Sequence, residues 1–280
     1  MAIITLTSDL GLKDNYVASV KATILSQCPN VSIVDITHQI TKFDLLQTAF
    51  VIKNVFSDFP DKTIHIIGVM PERTIEKQHV AVFCRNQYFI GADNGMFPLF
   101  LGNDELKIVE IEISSYRSFS FPMKDIFAKA ACHLAEGGKF EDLGKSKEKL
   151  NSIMGFNPVV TQDTLRGKVI YIDDFGNVMV NITEELFHQS GMHRKFEIIF
   201  RSGGYRINKL SRNYSDVPEG EMLAMFGATG FLEIAINAGN ASELLGIQLN
   251  DIIMVDFGEI IPAPVRDKKK EDRRKNQANN

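Results

Sequence analysis

The chain has no tryptophan, only three cysteines, and no apolar run approaching the roughly 18 to 20 residues that a membrane span needs. Cys28, Cys84 and Cys132 form no C-x-x-C pair and are odd in number, which argues against a disulfide framework and a zinc knuckle and predicts buried free thiols. The six histidines include no H-E-x-x-H or H-x-H pair, so no metal is expected. Neither G-x-G-x-x-G nor a P-loop occurs, so nothing cradles a phosphate. The opening "MAIITLTSDLG" lacks the basic flank and cleavage site of a signal peptide, and a cytoplasmic location with no membrane partner is the expectation.

What is there is ordinary globular material: 280 residues, 44% hydrophobic and 24% charged, enough for one large core or two modest ones. The charge is uneven. Residues 266–275 hold seven basic against three acidic side chains, leaving an acidic body. That cluster has no aromatics and ends in "NQANN", so residues 263–280 read as a charged disordered tail rather than a nucleic-acid patch.

The first 160 residues alternate two periods. "AIITLTS", "VSIVDIT" and "TIHIIGVM" read as short buried strands, with helical patterns near 14–27 and 43–58 between them. "HVAVFCRNQYFIGADNG" reads as a hairpin, "LKIVEIEI" as a strand, and "KDIFAKAACHLAEGG" as a helix stopped by Gly137 and Gly138. This predicts an α/β domain over 1–160 with a largely parallel sheet flanked by helices. Beyond a boundary near Leu165, "KVIYIDDFGNVMVNI", "KFEIIF", "EMLAMFG", "FLEIAIN" and "DIIMVDF" predict a smaller antiparallel β-barrel or sandwich over 165–258, with helices only at "EELFHQSG" and "ASELLG".

In an open α/β sheet, ligands bind beyond the carboxyl ends of the strands. After the first strand, "TSDLGLKDNY" offers Asp9 and Asp14, two carboxylates around a glycine, which suit a vicinal diol such as ribose. Acids there repel phosphate, so a nucleoside fits better than a nucleotide. The plain alternative is that either Asp caps the helix that follows. "GADNG" at 91–95 and "DDFGNVMVN" at 173–181 are polar clusters in apolar surroundings, and singly each reads as hairpin-turn chemistry.

Taken together and in order, "LTSDLGLKDNYV", "IVDITH", "FDLLQTAF", "GADNGM", "DIFAKAACHLA", "DDFGNVMVNI" and "YSDVPEGEMLAMFGATGFLEIAINAGNASELLG" resemble the S-adenosyl-L-methionine (SAM) hydroxide adenosyltransferase family, whose relatives include fluorinating and chlorinating enzymes. The resemblance implies SAM as substrate or ligand, no further cofactor, and a homotrimer with ligands at subunit interfaces. By it, Asp9 takes the ribose hydroxyls, and Asp14 and Tyr16 lie at the methionine end. Asp173, Phe175 and Asn177 close the pocket from the neighbouring subunit, and Ala228, Thr229, Gly230 and Asn237 border the adenine. An acidic pocket also suits a cationic sulfonium.

One stretch departs from the pattern. The hydrolytic relatives carry a strand ending in Asp-Pro-Gly-x-Gly, an Arg seven residues after that Asp, and later Phe-His-Gly-Arg-Asp. Here the Asp position reads Met70, the glycines read Glu72 and Thr74, the Arg reads Lys77, and the His reads Pro122. Glu72, or Glu76, with Lys77 are the candidate replacements. A halide route would rest on Ser120 beside a proline that lacks one amide donor. Three readings result: a SAM hydrolase releasing adenosine and L-methionine from an altered nucleophile site, a catalytically inactive binder of SAM or adenosine, or a pocket reused for another small molecule.

Overall fold

A computed structural model describes residues 1–102, 104–112, 120–155, 157–192, 194–200 and 204–258. His193 and the basic tail at 263–280 lie outside the described residues. The chain divides into two compact units, Met1–Gly155 and Phe156–Asn280. The division falls ahead of the sequence-based boundary. Leu165 itself is fully buried in a strand of the second unit, and Val159 and Val160 pair with that strand.

In the first unit the elements are β1 (Ala2–Ser8), α1 (Tyr16–Gln27), β2 (Val31–Thr37), α2 (Leu45–Lys53), β3 (Ile64–Gly68), β4 (His79–Cys84), β5 (Gln87–Ala92), α3 (Phe97–Leu101), β6 (Lys107–Ile111), α4 (Ala128–Ala135) and β7 (Gly144–Ser146). The sheet order is β2-β1-β3-β5-β4-β6-β7. β2, β1, β3 and β5 run parallel, while β4 and β7 are reversed. The expected mostly parallel sheet is therefore present. The hairpin β4–β5 turns at Arg85 and Asn86, both at positive φ (48° and 60°), as a two-residue type I′ loop requires.

Two apolar layers flank the sheet. Val20 and Ile24 of α1 join Phe127, Ala131 and Cys132 over one cluster, and Ala49 and Ile52 of α2 join Phe97 and Phe100 of α3 in the other. α4 begins unusually: Met123–Phe127 form a wide π-turn that runs straight into it, with Pro122 at the entry (φ −55°). A proline fits a helix start because its missing N–H would find no partner there anyway. Gly68 at the end of β3 leaves room for the Met123 side chain, which a Cβ would strike.

The second unit contains β8 (Val159–Val160), β9 (Thr164–Ile172), β10 (Val178–Thr183), α5 (Glu184–Gly191), β11 (Phe196–Phe200), β12 (Arg206–Ile207), β13 (Met222–Phe226), β14 (Phe231–Ile236), α6 (Ala241–Leu245) and β15 (Ile252–Phe257). The sheet order is β12-β11-β15-β9-β10-β14-β13, with β8 on β9, and every strand pairing in it is antiparallel. A bridge from Leu210, just past β12, to Ala224 of β13 nearly closes it into a barrel around Leu165, Val180, Ile198, Leu232 and Val255. Among the described residues, no helix is long and apolar enough to cross a membrane.

Candidate functional site

β1 and β3 run side by side and in register, Ser8 opposite Gly68, so the loops that leave them open at the same end of the sheet. That end is a cleft of about 740 Å³. From the β1 loop come Asp9, Asp14 and Tyr16, from the β3 loop Met70, Pro71 and Glu72, and from the π-turn Pro122, Lys124 and Asp125. Lys42 and Phe43 complete the rim. Four carboxylates thus face two ammonium groups, a net negative cleft that attracts cations.

Asp9 is 7% exposed and held in place. Its Oδ2 accepts the Phe43 amide at 3.0 Å, and the Lys42 ammonium donates to its carbonyl. Phe43 adopts φ 67°, which turns that amide toward the carboxylate. Beneath lies a chain of three side chains: Ser8 Oγ meets His38 Nδ1 at 2.7 Å, and His38 Nε2 meets Asp35 Oδ1 at 3.2 Å. Lys21 pairs with Asp35 at 2.5 Å. Burial alone would raise the Asp35 pKa, but Lys21 and His38 outweigh it and hold the carboxyl below its ordinary value. Ser8 Oγ also accepts the Leu10 amide at 3.3 Å, so the chain braces the loop on both sides of Asp9. Neither Asp9 nor Asp14 caps α1; Asn15 occupies that position, without a side-chain cap. Tyr16 stands at the cleft edge with its ring against Phe121 (centroids 5.6 Å).

The β3 mouth is built differently. Met70 sits at φ 45°, a left-handed conformation that costs a non-glycine residue about 1 to 3 kcal/mol. The Asn94 amide holds the loop there by donating to the carbonyls of Val69 (3.1 Å) and Met70 (3.3 Å). His79 Nε2 donates to the Pro71 carbonyl at 2.8 Å. Burial lowers the His79 pKa, with Arg73 adding to the effect and the Pro71 bond opposing it.

Several sequence candidates separate here. Glu72 lines the cleft with Asp9; Lys77 and Glu76 line another cavity of about 550 Å³, with Asp93, Asn94 and Asn151. "GADNG" is thus a strand-to-helix turn supporting the β3 mouth rather than a hairpin. Asp93 is fully buried, accepts the Asn151 amide at 2.8 Å and pairs with Lys147 at 3.0 Å. Lys42, Lys124 and Asp125 escaped sequence reasoning. Lys124 and Asp125 open "KDIFAKAACHLAEGG", which reads as a regular helix, and no periodicity announces the π-turn that carries them at the cleft.

The barrel unit has its own cavity of about 710 Å³, lined by Asp173, Phe175, Asn177, Tyr214, Asn237 and Asn240 among others. The β9–β10 loop builds one wall. Asp173 accepts the Asn177 amide at 2.8 Å and its side-chain NH₂ at 3.0 Å, while Gly176 (φ 82°) packs so tightly on Asn240 that no Cβ fits. Phe175 projects outward, 80% exposed. Asn237 donates to the Val217 carbonyl at 2.8 Å. Tyr214 donates to Glu233 at 2.6 Å. Burial raises the Glu233 pKa, and Asp173 adds to that while Tyr214 opposes it. Glu233 was missed because a lone acid in "FLEIAIN" reads as an exposed strand position, yet it is 4% exposed. Ala228, Thr229 and Gly230 form the β13–β14 turn, a strand length of roughly 20 Å from Asn237. The structure does not bring them to this cavity. Among the described residues no cluster of three or more His, Cys, Asp or Glu could hold a metal ion.

Comparison with known proteins covers both units. Residues 4–144 match the model of the SAM hydroxide adenosyltransferase N-terminal domain, and residues 167–254 match that of its C-terminal domain. An (R)-S-adenosyl-L-methionine hydrolase of Thermus thermophilus is 30% identical over 253 residues, covering 86% of this chain and 94% of the relative. A fluorinase of Nocardia brasiliensis is 25% identical, covering 91% and 97%. The crystal structure of an uncharacterised conserved protein from Thermotoga maritima superposes with a TM-score of 0.82 at 30% identity, covering 91% of this chain and all of that one.

Proposed function

The chain belongs to the SAM hydroxide adenosyltransferase family, and from that premise we propose that it binds SAM in the Asp9 cleft and hydrolyses it to adenosine and L-methionine. The observation that carries this reading is the buried, fixed Asp9 in a net negative cleft shared with Glu72. Asp9 accepts hydrogen bonds from the two ribose hydroxyls, Asp14 and Tyr16 meet the amino-acid end, and the carboxylates attract the sulfonium. In the homotrimer that belongs to this proposal, Asp173, Phe175, Asn177 and Asn237 close the pocket from the barrel of a neighbouring subunit. Ala228, Thr229 and Gly230 are left as a turn, because they stand apart from that cavity.

Attack at the ribose 5′ carbon expels methionine as a neutral thioether, so no general acid is needed. Water is a poor nucleophile and must be oriented and deprotonated. Met70 and Pro122 line the cleft and do neither. Glu72 is the carboxylate of the β3 loop that reaches the same cleft, and we assign it the water. Lys77, in the other cavity, has no part in this step. A homotrimer is part of the same proposal and is checked by sedimentation.

Met70 and Pro122 also favour a second reading, a binder of SAM or adenosine without turnover. Incubation of the purified protein with SAM, following adenosine and methionine by chromatography beside calorimetry, separates the two. Release above the spontaneous rate, lost in Asp9→Ala, supports the hydrolase. Binding without products supports the second reading, and neither binding nor turnover overturns both.

A further inference from the structure

Cys28 closes α1 and Cys132 lies within α4, 104 residues later. Both are buried, and their sulfur atoms stand 2.7 Å apart. That is inside the sum of two sulfur radii, and about 0.6 to 0.7 Å beyond the ~2.05 Å of a disulfide. The two thiols also point toward one acceptor, the Ile24 carbonyl, at 3.3 and 3.7 Å. Cys84 belongs to the opposite face of the sheet, 3.8 Å from Asp104.

We propose that Cys28 and Cys132 are a redox-sensitive pair that closes into a reversible disulfide when hydrogen peroxide reaches the helix layer, tying the end of α1 to α4. One thiol, as thiolate, attacks peroxide and becomes a sulfenic acid with loss of water. The second sulfur attacks the first and displaces the second water. Two thiols lose two electrons and two protons, and one peroxide becomes two waters. The bond joins elements that both enter the cleft: α1 begins at Tyr16, and α4 continues the π-turn that carries Lys124 and Asp125. Burial, with Cys28 adding to it, raises the Cys132 pKa, so oxidation speeds up as pH rises above neutrality. The proposal stands whether or not the cleft turns over SAM.

The test uses the full-length protein, treated with a modest excess of hydrogen peroxide, unfolded in guanidinium with N-ethylmaleimide, and weighed intact. The reduced control takes up three maleimides, one for each cysteine. The expected oxidised product takes up one, is lighter by two hydrogens before labelling, and yields a peptide pair joining Cys28 to Cys132; dithiothreitol restores uptake of three. Persistence of three reactive thiols, sulfinic acid without a cross-link, or a bond through Cys84 would overturn the proposal. The bonded form should also melt several degrees higher, since the bond closes a long loop. An unchanged midpoint in fully bonded protein would overturn the bracing role.

Discussion

Two strand mouths lie side by side in the first unit, and they differ in what they keep. The β1 mouth presents a buried carboxylate, gripped by the Phe43 amide and braced from below by Ser8, His38 and Asp35. The β3 mouth presents a thioether, yet its backbone is gripped as firmly, by Asn94 on Val69 and Met70 and by His79 on Pro71. The scaffold that aims the side chain at position 70 is therefore built by residues other than position 70. A site of this kind loses or changes chemistry by one substitution without losing its shape, and binding and turnover become separable properties of neighbouring loops.

The sharpest break in the comparison is Asp9→Asn. If the β1 mouth is the binding half, exchanging two charge-assisted hydrogen bonds to ribose for weaker ones costs about 3 kcal/mol or more, roughly a 100-fold loss of SAM affinity by calorimetry, with turnover falling alongside. Glu72→Gln addresses the other half. It should keep SAM affinity within a few-fold while lowering adenosine release about 100-fold, the low end of what a general base contributes. Met70→Asp should move release the other way by ~10-fold, since Asp tolerates the left-handed backbone better than Met and supplies a carboxylate. Equal loss of affinity in Asp9→Asn and Glu72→Gln would erase the division between the mouths.

The two strands are also joined through His65. Its Nδ1 meets Thr5 Oγ1 of β1 at 2.7 Å, its Nε2 meets the Gln87 side chain at 3.2 Å, and its ring stacks on Phe89 (4.8 Å). Burial lowers its pKa from 6.5 to about 4, with the Gln87 bond opposing. The folded form therefore resists a proton that the unfolded chain accepts, so stability is full above pH 6.5 and is lost as pH falls toward 4. The loss amounts to about 3 kcal/mol over that window. Urea unfolding of the first unit at pH 7 and pH 4.5 measures it. His65→Leu should flatten the difference while lowering stability at pH 7, and an unchanged slope would place the acid sensitivity elsewhere.

Much of the fold was legible because period and length agreed with burial: "AIITLTS" and "TIHIIGVM" became β1 and β3, and the regular short strands after residue 160 became the barrel. Asp9 was legible from its place after the first strand. The partition of the β3 loop was not. Glu72 and Lys77 are five positions apart in one loop, and its bonds, Asn94 and His79 on residues 69–71 and Thr74 with Lys77 beyond, leave Glu72 at the cleft and Lys77 at another cavity. Glu233 stayed hidden because strand alternation reads one face as wet. Here a second small apolar cluster of Leu223, Met225 and Ala235 covers that face of the barrel wall.

The smallest expected effect tests how deep the β1 mouth extends. Asp35 is the outermost member of the Ser8–His38–Asp35 chain, and its side chain is 36% exposed. Exposed pairs of this kind contribute about 0 to 1 kcal/mol. Its depressed pKa stabilises the fold above the ordinary carboxyl range and ceases to do so below it, so Asp35→Asn should leave the protein unchanged in acid and slightly weaker at neutral pH. His38 keeps its bond to Ser8 in that variant, and Asp9 keeps the Phe43 amide. SAM affinity should then fall less than about threefold by calorimetry. A tenfold loss would mean that the grip on Asp9 is transmitted from Asp35 through the histidine, and that the binding half of the site begins at the edge strand β2 rather than at β1.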